Sequence, residues 1–282
     1  MNRQITLGVR AHDFPEKNIE ALAAHIEEKG YSCIQLALAK ALPDIHSGLG
    51  SITPGLAKYI KETLSQHNLS IAVLGCYINP IHPQEGVRRQ SLERFKEHIR
   101  FARDFGCSIV GTETGSMNED FSYHPDTHSE VGFNLLLKSV AELVEEAEKF
   151  GVFVGIEGVT SHTVSTPKKM KRVLDTIASN NLQVIFDPVN LLSIENYKKQ
   201  DDIIKESFEL FGDKIIIIHA KDFIIEDGKM KTVETGKGML NYELLFKLLK
   251  ERKPYIEILF EDSKAENADE IRQFVYNMYD KC

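Results

Sequence analysis

Short runs rich in β-branched and apolar residues alternate along the chain with longer stretches of helical period, the pattern of a parallel sheet built from strand–helix units. The runs predict strands at Ile5 to Val9, Cys33 to Leu38, Ile71 to Cys76, Ser108 to Thr112, Phe153 to Glu157, Gln183 to Asp187, Lys214 to His219 and Tyr255 to Glu261. The clearest helix runs from about Ser129 to Phe150, where Leu135, Leu136, Val140, Leu143, Val144 and Ala147 recur at helical spacing before Gly151. Gly30, Gly106 and Gly212 punctuate in the same way, each placed where a left-handed residue would end a helix. Thr53-Pro54 and Thr166-Pro167 read as N-caps followed by a first-turn proline. Eight such units in 282 residues, with no low-complexity linker, predict a single (β/α)8 TIM barrel over residues 1–282. A doubly wound open sheet would carry a glycine-rich phosphate loop after its first strand, and Val9-Arg10-Ala11-His12-Asp13 contains none.

In such a barrel the C-terminal ends of the strands face the active site, so polar residues that close apolar strands take priority over those on helices. Four consecutive runs end this way: VFVGIE at Glu157, QVIFD at Asp187, KIIIIH at His219 and YIEILFE at Glu261. Their spacings of 30, 32 and 42 residues each fit one further strand–helix unit. Three carboxylates and one imidazole make a mostly hard, oxygen-rich set that suits Mn²⁺ or Mg²⁺ and accepts Co²⁺, Fe²⁺ or Zn²⁺. An octahedral ion held by all four keeps two positions for water or for two neighbouring oxygens of a substrate. The competing reading makes each residue a solvated strand terminus, and that reading must coincide four times.

The segments GIEGVTSHTVSTP, VIFDPVN, IIHAKD and ILFED, with the later GKGMLNYELL, resemble the xylose-isomerase-like barrel superfamily, and within it the sugar phosphate isomerase/epimerase members. The resemblance covers essentially the whole chain. It implies one divalent metal on Glu157, Asp187, His219 and Glu261, with Glu157 and Glu261 also acting as acid/base catalysts, as in the ketose 3-epimerases. The chemistry is coherent on its own terms. Isomerising or epimerising a ketose removes a proton from carbon beside a carbonyl, and a metal bridging that carbonyl and a neighbouring hydroxyl stabilises the enediolate. The two glutamates, on strands set apart around the mouth, would exchange the roles of base and acid.

The sequence departs from the ketose 3-epimerases at three places. Asn190 stands where they carry a histidine, Thr163 where they carry a glutamate and Ile225 where they carry an arginine. These changes leave the ligand set whole and alter the substrate shell, for which the candidates are His162, Asn190, Lys221, Asp222, Glu113 and His12. Two long irregular stretches, His46 to Pro54 and Gly115 to His128, are of the kind that forms lids or specificity walls in barrels.

Composition narrows the partners. Hydrophobic residues at 42% and charged residues at 27% are those of a soluble globular chain. A net charge of −8 without a basic block disfavours nucleic acid, and with it a zinc endonuclease, which would also need more histidines. Cys33, Cys76, Cys107 and Cys282 form no CxxC pair and, with no leader-like or bilayer-length apolar run, suggest a cytoplasmic protein away from membranes. The expected partner is a small sugar or polyol-derived substrate: a ketose, keto acid or sugar phosphate. Related barrels often pair, so a homodimer or homotetramer is allowed. Two alternatives stay open: a metal-dependent dehydratase of an inosose-like cyclitol, which begins with the same proton abstraction, and a non-catalytic sugar-binding barrel.

Overall fold

The structure, a computed structural model, describes residues 5–282. Its strands are β1 (Ile5–Arg10), β2 (Cys33–Leu36), β3 (Ser70–Gly75), β4 (Ile109–Glu113), β5 (Phe153–Glu157), β6 (Leu182–Phe186), β7 (Ile215–Ala220), β8 (Asp222–Glu226), β9 (Lys229–Val233) and β10 (Ile256–Phe260). Eight of them close a parallel barrel in the ring order β1-β10-β7-β6-β5-β4-β3-β2, and β8 and β9 pair separately as an antiparallel hairpin. The helices are α1 (Ile19–Glu28), α2 (Leu38–Ala41), α3 (Pro54–Gln66), α4 (Glu85–Phe101), α5 (Glu130–Phe150), α6 (Pro167–Ile177), α7 (Gln200–Phe211), α8 (Tyr242–Arg252) and α9 (Ala268–Lys281). None among the described residues is long and apolar enough to cross a membrane.

Local chemistry sets the element ends much as the sequence predicts. Ser129 caps α5 by accepting from the Val131 and Gly132 amides, and Gly151 ends it in the left-handed region at φ 62°. Thr53 and Thr166 cap α3 and α6, each followed by proline. Three expectations need correction. The run expected to continue as strand to Leu38 stops at Leu36, and Leu38–Ala41 turns into α2, because buried apolar residues suit either conformation. Gly212 has φ −57° and continues the right-handed turn after α7 rather than ending it left-handed. The β8–β9 hairpin, with Asp227 and Gly228 both at positive φ in its tip, was not among the predicted strands.

Strand alternation explains how this barrel positions a site. Side chains two apart point to the same face, so Cys33, Val73, Ile185, Ile217 and Leu259 meet inside the barrel as a small buried apolar cluster. A much larger apolar shell lies between strands and helices. Gly111 makes room for the inner cluster: a Cβ there would lie 2.8 Å from both Ile185 Cδ1 and Val73 Cγ1. Two residues further along five of the strands, the same inward face carries Gln35, Asp187, His219, Glu261 and, after Gly155, Glu157. A polar layer therefore sits directly on an apolar plug.

Candidate metal centre and its mouth

Glu157, Asp187, His219 and Glu261 are all buried at the C-terminal end of the barrel. One potential ligand atom from each of Glu157, Asp187 and His219 lies within 4.8 Å of the others. Glu261 stands outside this mutually close trio but beside it: His219 Nδ1 is 3.2 Å from Glu157 Oε2 and 3.2 Å from Glu261 Oε1.

In each of the four side chains, one atom is engaged in a hydrogen bond that leaves the second without one. Asn190 Nδ2 donates to Glu157 Oε1 at 2.6 Å, leaving Oε2. The Val189 and Asn190 amides donate to Asp187 Oδ1 at 2.8 and 3.1 Å, leaving Oδ2. Lys221 Nζ donates to Glu261 Oε2 at 2.8 Å, leaving Oε1. His219 Nε2 meets Gln35 Oε1 at 2.6 Å, leaving Nδ1. Supporting contacts of this kind orient ligands and fix the imidazole tautomer in metal sites. Asp187 Oδ2 and His219 Nδ1 are buried without an aligned hydrogen-bond partner, although Lys221 Nζ lies 2.9 Å from the former. Buried polar atoms are rarely left so. Two orphaned atoms, three carboxylates and an imidazole fit a divalent cation.

Without an ion, the site balances its charge internally. Burial favours a neutral imidazole at His219, yet Glu157 and Glu261 outweigh it and raise its pKa to about 9. Burial likewise acts against an ionised Glu261, but His219, Lys221 and Arg10 together bring its pKa down to about 2. Asp187 goes the other way, to about 6, because burial and the neighbouring Glu261 and Glu157 exceed the help it receives from Lys221 and His219.

Beside this cluster opens a hollow of about 190 Å³. The predicted shell residues His12, Glu113, His162, Asn190 and Lys221 line it with Glu261. Glu113 ends β4 opposite Glu157 in register, and His162 Nδ1 lies 3.5 Å from Glu113 Oε2. Burial and Glu261 raise the Glu113 carboxyl, while burial lowers His12 and His162 to about 4, so both imidazoles are neutral at pH 7. Phe121, from the long stretch after β4, packs its ring 5.7 Å from that of His162. The structure does not bring Asp222 to this wall. Its carboxylate accepts from the Phe223, Gly236 and Leu240 amides and ties the chain after the hairpin back to β7. A larger hollow of about 310 Å³ lies among Lys171, Asp175, Asn180 and Lys214, before β6 and β7, at the other end of the barrel.

The sequence reading missed Arg10, Gln35, Lys40, Tyr77 and Val159, all of which line the hollow except Gln35, which contacts His219. Arg10 reaches Asp13, Glu261 and Asp262. Gln35 Nε2 donates to the Tyr77 hydroxyl, and Lys40 Nζ sits 4.7 Å from the Tyr77 ring centroid. The period-two count from Gly8, Cys33 and Gly75 would have found the first two and Tyr77.

Comparison with known proteins agrees with this architecture. The family model described as xylose isomerase-like TIM barrel matches residues 23–278. A D-tagatose 3-epimerase-like protein superposes with a TM-score of 0.75 at 20% identity, covering 98% of each chain. A xylose isomerase-like TIM barrel protein from Mycobacterium smegmatis, in complex with magnesium, gives 0.75 at 14% identity over 99% of this chain and 97% of that one. The 3-keto-D-glucoside 4-epimerase YcjR from E. coli gives 0.74 at 14% identity over 98% of this chain and 100% of that one. At these identities the likeness is one of fold. No curated protein matches the sequence.

Proposed function

This chain belongs to the xylose isomerase-like TIM barrel family, and on that premise we propose that it is a metal-dependent isomerase or epimerase of a small polyhydroxy carbonyl compound. The observation that carries the proposal is the placement of two carboxylates, Glu157 and Glu261, either side of His219 Nδ1 at 3.2 Å each, with Glu261 also lining a polar hollow. Glu157 Oε2, Asp187 Oδ2, His219 Nδ1 and Glu261 Oε1 would hold the ion. A bound divalent cation supplies charge stabilisation to a carbonyl oxygen as the adjacent carbon loses its proton.

The chain's own residues do the rest. One glutamate takes the proton from carbon and the other returns one, which inverts the centre or moves the carbonyl. Asn190 holds Glu157 by Oε1 and Lys221 holds Glu261 by Oε2, so each carboxylate keeps its other oxygen directed inward. Neutral His12 and His162 offer hydrogen-bonding nitrogens for hydroxyl groups, His12 Nδ1 and His162 Nδ1 being buried without an aligned hydrogen bond. The similar fold of a 3-keto-D-glucoside 4-epimerase supports a carbonyl substrate of this class.

A dehydratase reading is favoured by one feature, Glu113. Its raised pKa suits an acid that protonates a departing hydroxyl. The deciding experiment is solvent deuterium incorporation into a panel of ketoses, keto acids and inososes with Mg²⁺ or Mn²⁺ present. Exchange without loss of water, abolished in Glu157→Gln and Glu261→Gln, supports the isomerase. Exchange accompanied by water loss supports the dehydratase. Absence of exchange from a metal-loaded protein across the whole panel refutes both.

A further inference from the structure

We infer that the Tyr77 hydroxyl donates a hydrogen bond to a substrate oxygen, and that Gln35 sets it in this role. The inference rests on the metal reading above, through the tautomer of His219. With Nδ1 facing the ligand centre, the ring proton resides on Nε2, and that N–H donates to Gln35 Oε1 at 2.6 Å. The Gln35 amide is then oriented: its oxygen is turned to His219 and its NH₂ to Tyr77. An amide nitrogen has no acceptor capacity, so the Gln35 contact uses the phenol oxygen as acceptor and leaves the phenol proton to be directed elsewhere.

That proton has the hollow in front of it. Tyr77 lines the hollow, following β3, which lies four strands from β7 in either direction around the ring. Gln35, wholly buried, spans the floor between His219 and Tyr77. The Lys40 ammonium over the Tyr77 ring favours donation by drawing electron density from the phenol. Burial and the carboxylates of Glu157, Glu261 and Glu113 hold the phenol in its protonated form. The group is therefore a donor and not a base, and the ligand it recognises is a hydroxyl or carbonyl oxygen of a polyhydroxy compound. Such a donor, aimed where negative charge develops, aids the reaction with no proton transferred to or from the phenol.

Two variants and one labelled protein test this. Titrating Mg²⁺ and then xylitol into the protein by calorimetry should show Tyr77→Phe binding xylitol about 5- to 10-fold more weakly, with Mg²⁺ affinity unchanged. Gln35→Leu should weaken Mg²⁺ binding about tenfold and xylitol binding as well. In wild-type protein carrying [¹³Cζ]tyrosine, saturating xylitol should shift one resonance, which identifies the contact even where a variant folds poorly. The inference is overturned by wild-type protein that does not bind xylitol, by tyrosine resonances that stay in place, by unchanged xylitol affinity in Tyr77→Phe, or by loss of Mg²⁺ affinity in Tyr77→Phe equal to that in Gln35→Leu. The deuterium experiment separates the two claims. Tyr77-dependent xylitol binding without exchange in any carbonyl compound sinks the isomerase assignment and keeps the Tyr77 contact.

Discussion

Replacing Lys221 by methionine removes one positive charge from a buried cluster while nearly preserving side-chain volume. Lys221 Nζ lies 2.9 Å from Asp187 Oδ2 and 2.8 Å from Glu261 Oε2. At an effective dielectric constant of about 20, each attraction is worth about 6 kcal/mol before desolvation. Burying the ammonium and two carboxylates cancels much of that, and removing one partner of a buried pair costs about 3–5 kcal/mol in the metal-free protein. For a chain of this size that corresponds to a melting temperature lower by about 6–10 °C. The penalty should depend on pH. Asp187 already stands raised at about 6, and Lys221 is one of the groups holding it down. Its pKa rises further in the variant, so above that value the penalty is full, and as pH falls through it Asp187 takes up a proton and part of the penalty disappears. Thermal melts in excess chelator should therefore show a wider gap between wild type and Lys221→Met at pH 8 than at pH 6. Saturating Mg²⁺ should narrow the gap, because the cation replaces the lost charge. A variant in chelator at pH 8 that melts within 2 °C of wild type, or a gap wider at pH 6, refutes the charge-balance account.

Metal loading near pH 7 should release about one proton, since His219 is protonated below its raised pKa of about 9 and must lose that proton to offer Nδ1. Calorimetry in buffers of different ionisation enthalpy reads this number, and zero release argues against His219 as a ligand. Metal affinity should correspondingly rise with pH up to about 9. Gly111→Ala places a methyl group 2.8 Å from Ile185 and Val73 atoms and should destabilise the protein by about 1–3 kcal/mol. Urea melts should show that loss with the metal affinity lowered as well, because Ile185 lies two residues before Asp187 on the same inward face.

The clustering of Glu157, Asp187, His219 and Glu261 was legible because each closes an apolar run, and an ionisable side chain there has few structural uses. The barrel was legible from the count of runs. The opposite wall was harder. Gln35 lies inside a strand and Tyr77 two residues after one, and neither type signals chemistry by itself, although parity with Cys33 and Gly75 places both on the inner face. Asp222 lies away from the hollow for the same reason in reverse: it follows Lys221 by one residue and so points the other way, into backbone amides. The hairpin had a local signal in Asp227-Gly228 between apolar and β-branched residues. The eight-stranded barrel is complete without it. Which side of Gln35 faces His219 follows from the proton on the imidazole and is invisible in residue order.

The apolar plug has a kinetic consequence. Ile185, Ile217 and Leu259 fill the barrel beneath Glu157, Asp187, His219 and Glu261, and the polar hollow lies on the other side. Under the proposed function, an ion and a substrate would share one door and would have to use it in sequence. A molecule seated in the hollow would cork an ion behind it and slow its exchange. Retention of the ion would then be tied to turnover, longest when substrate is abundant.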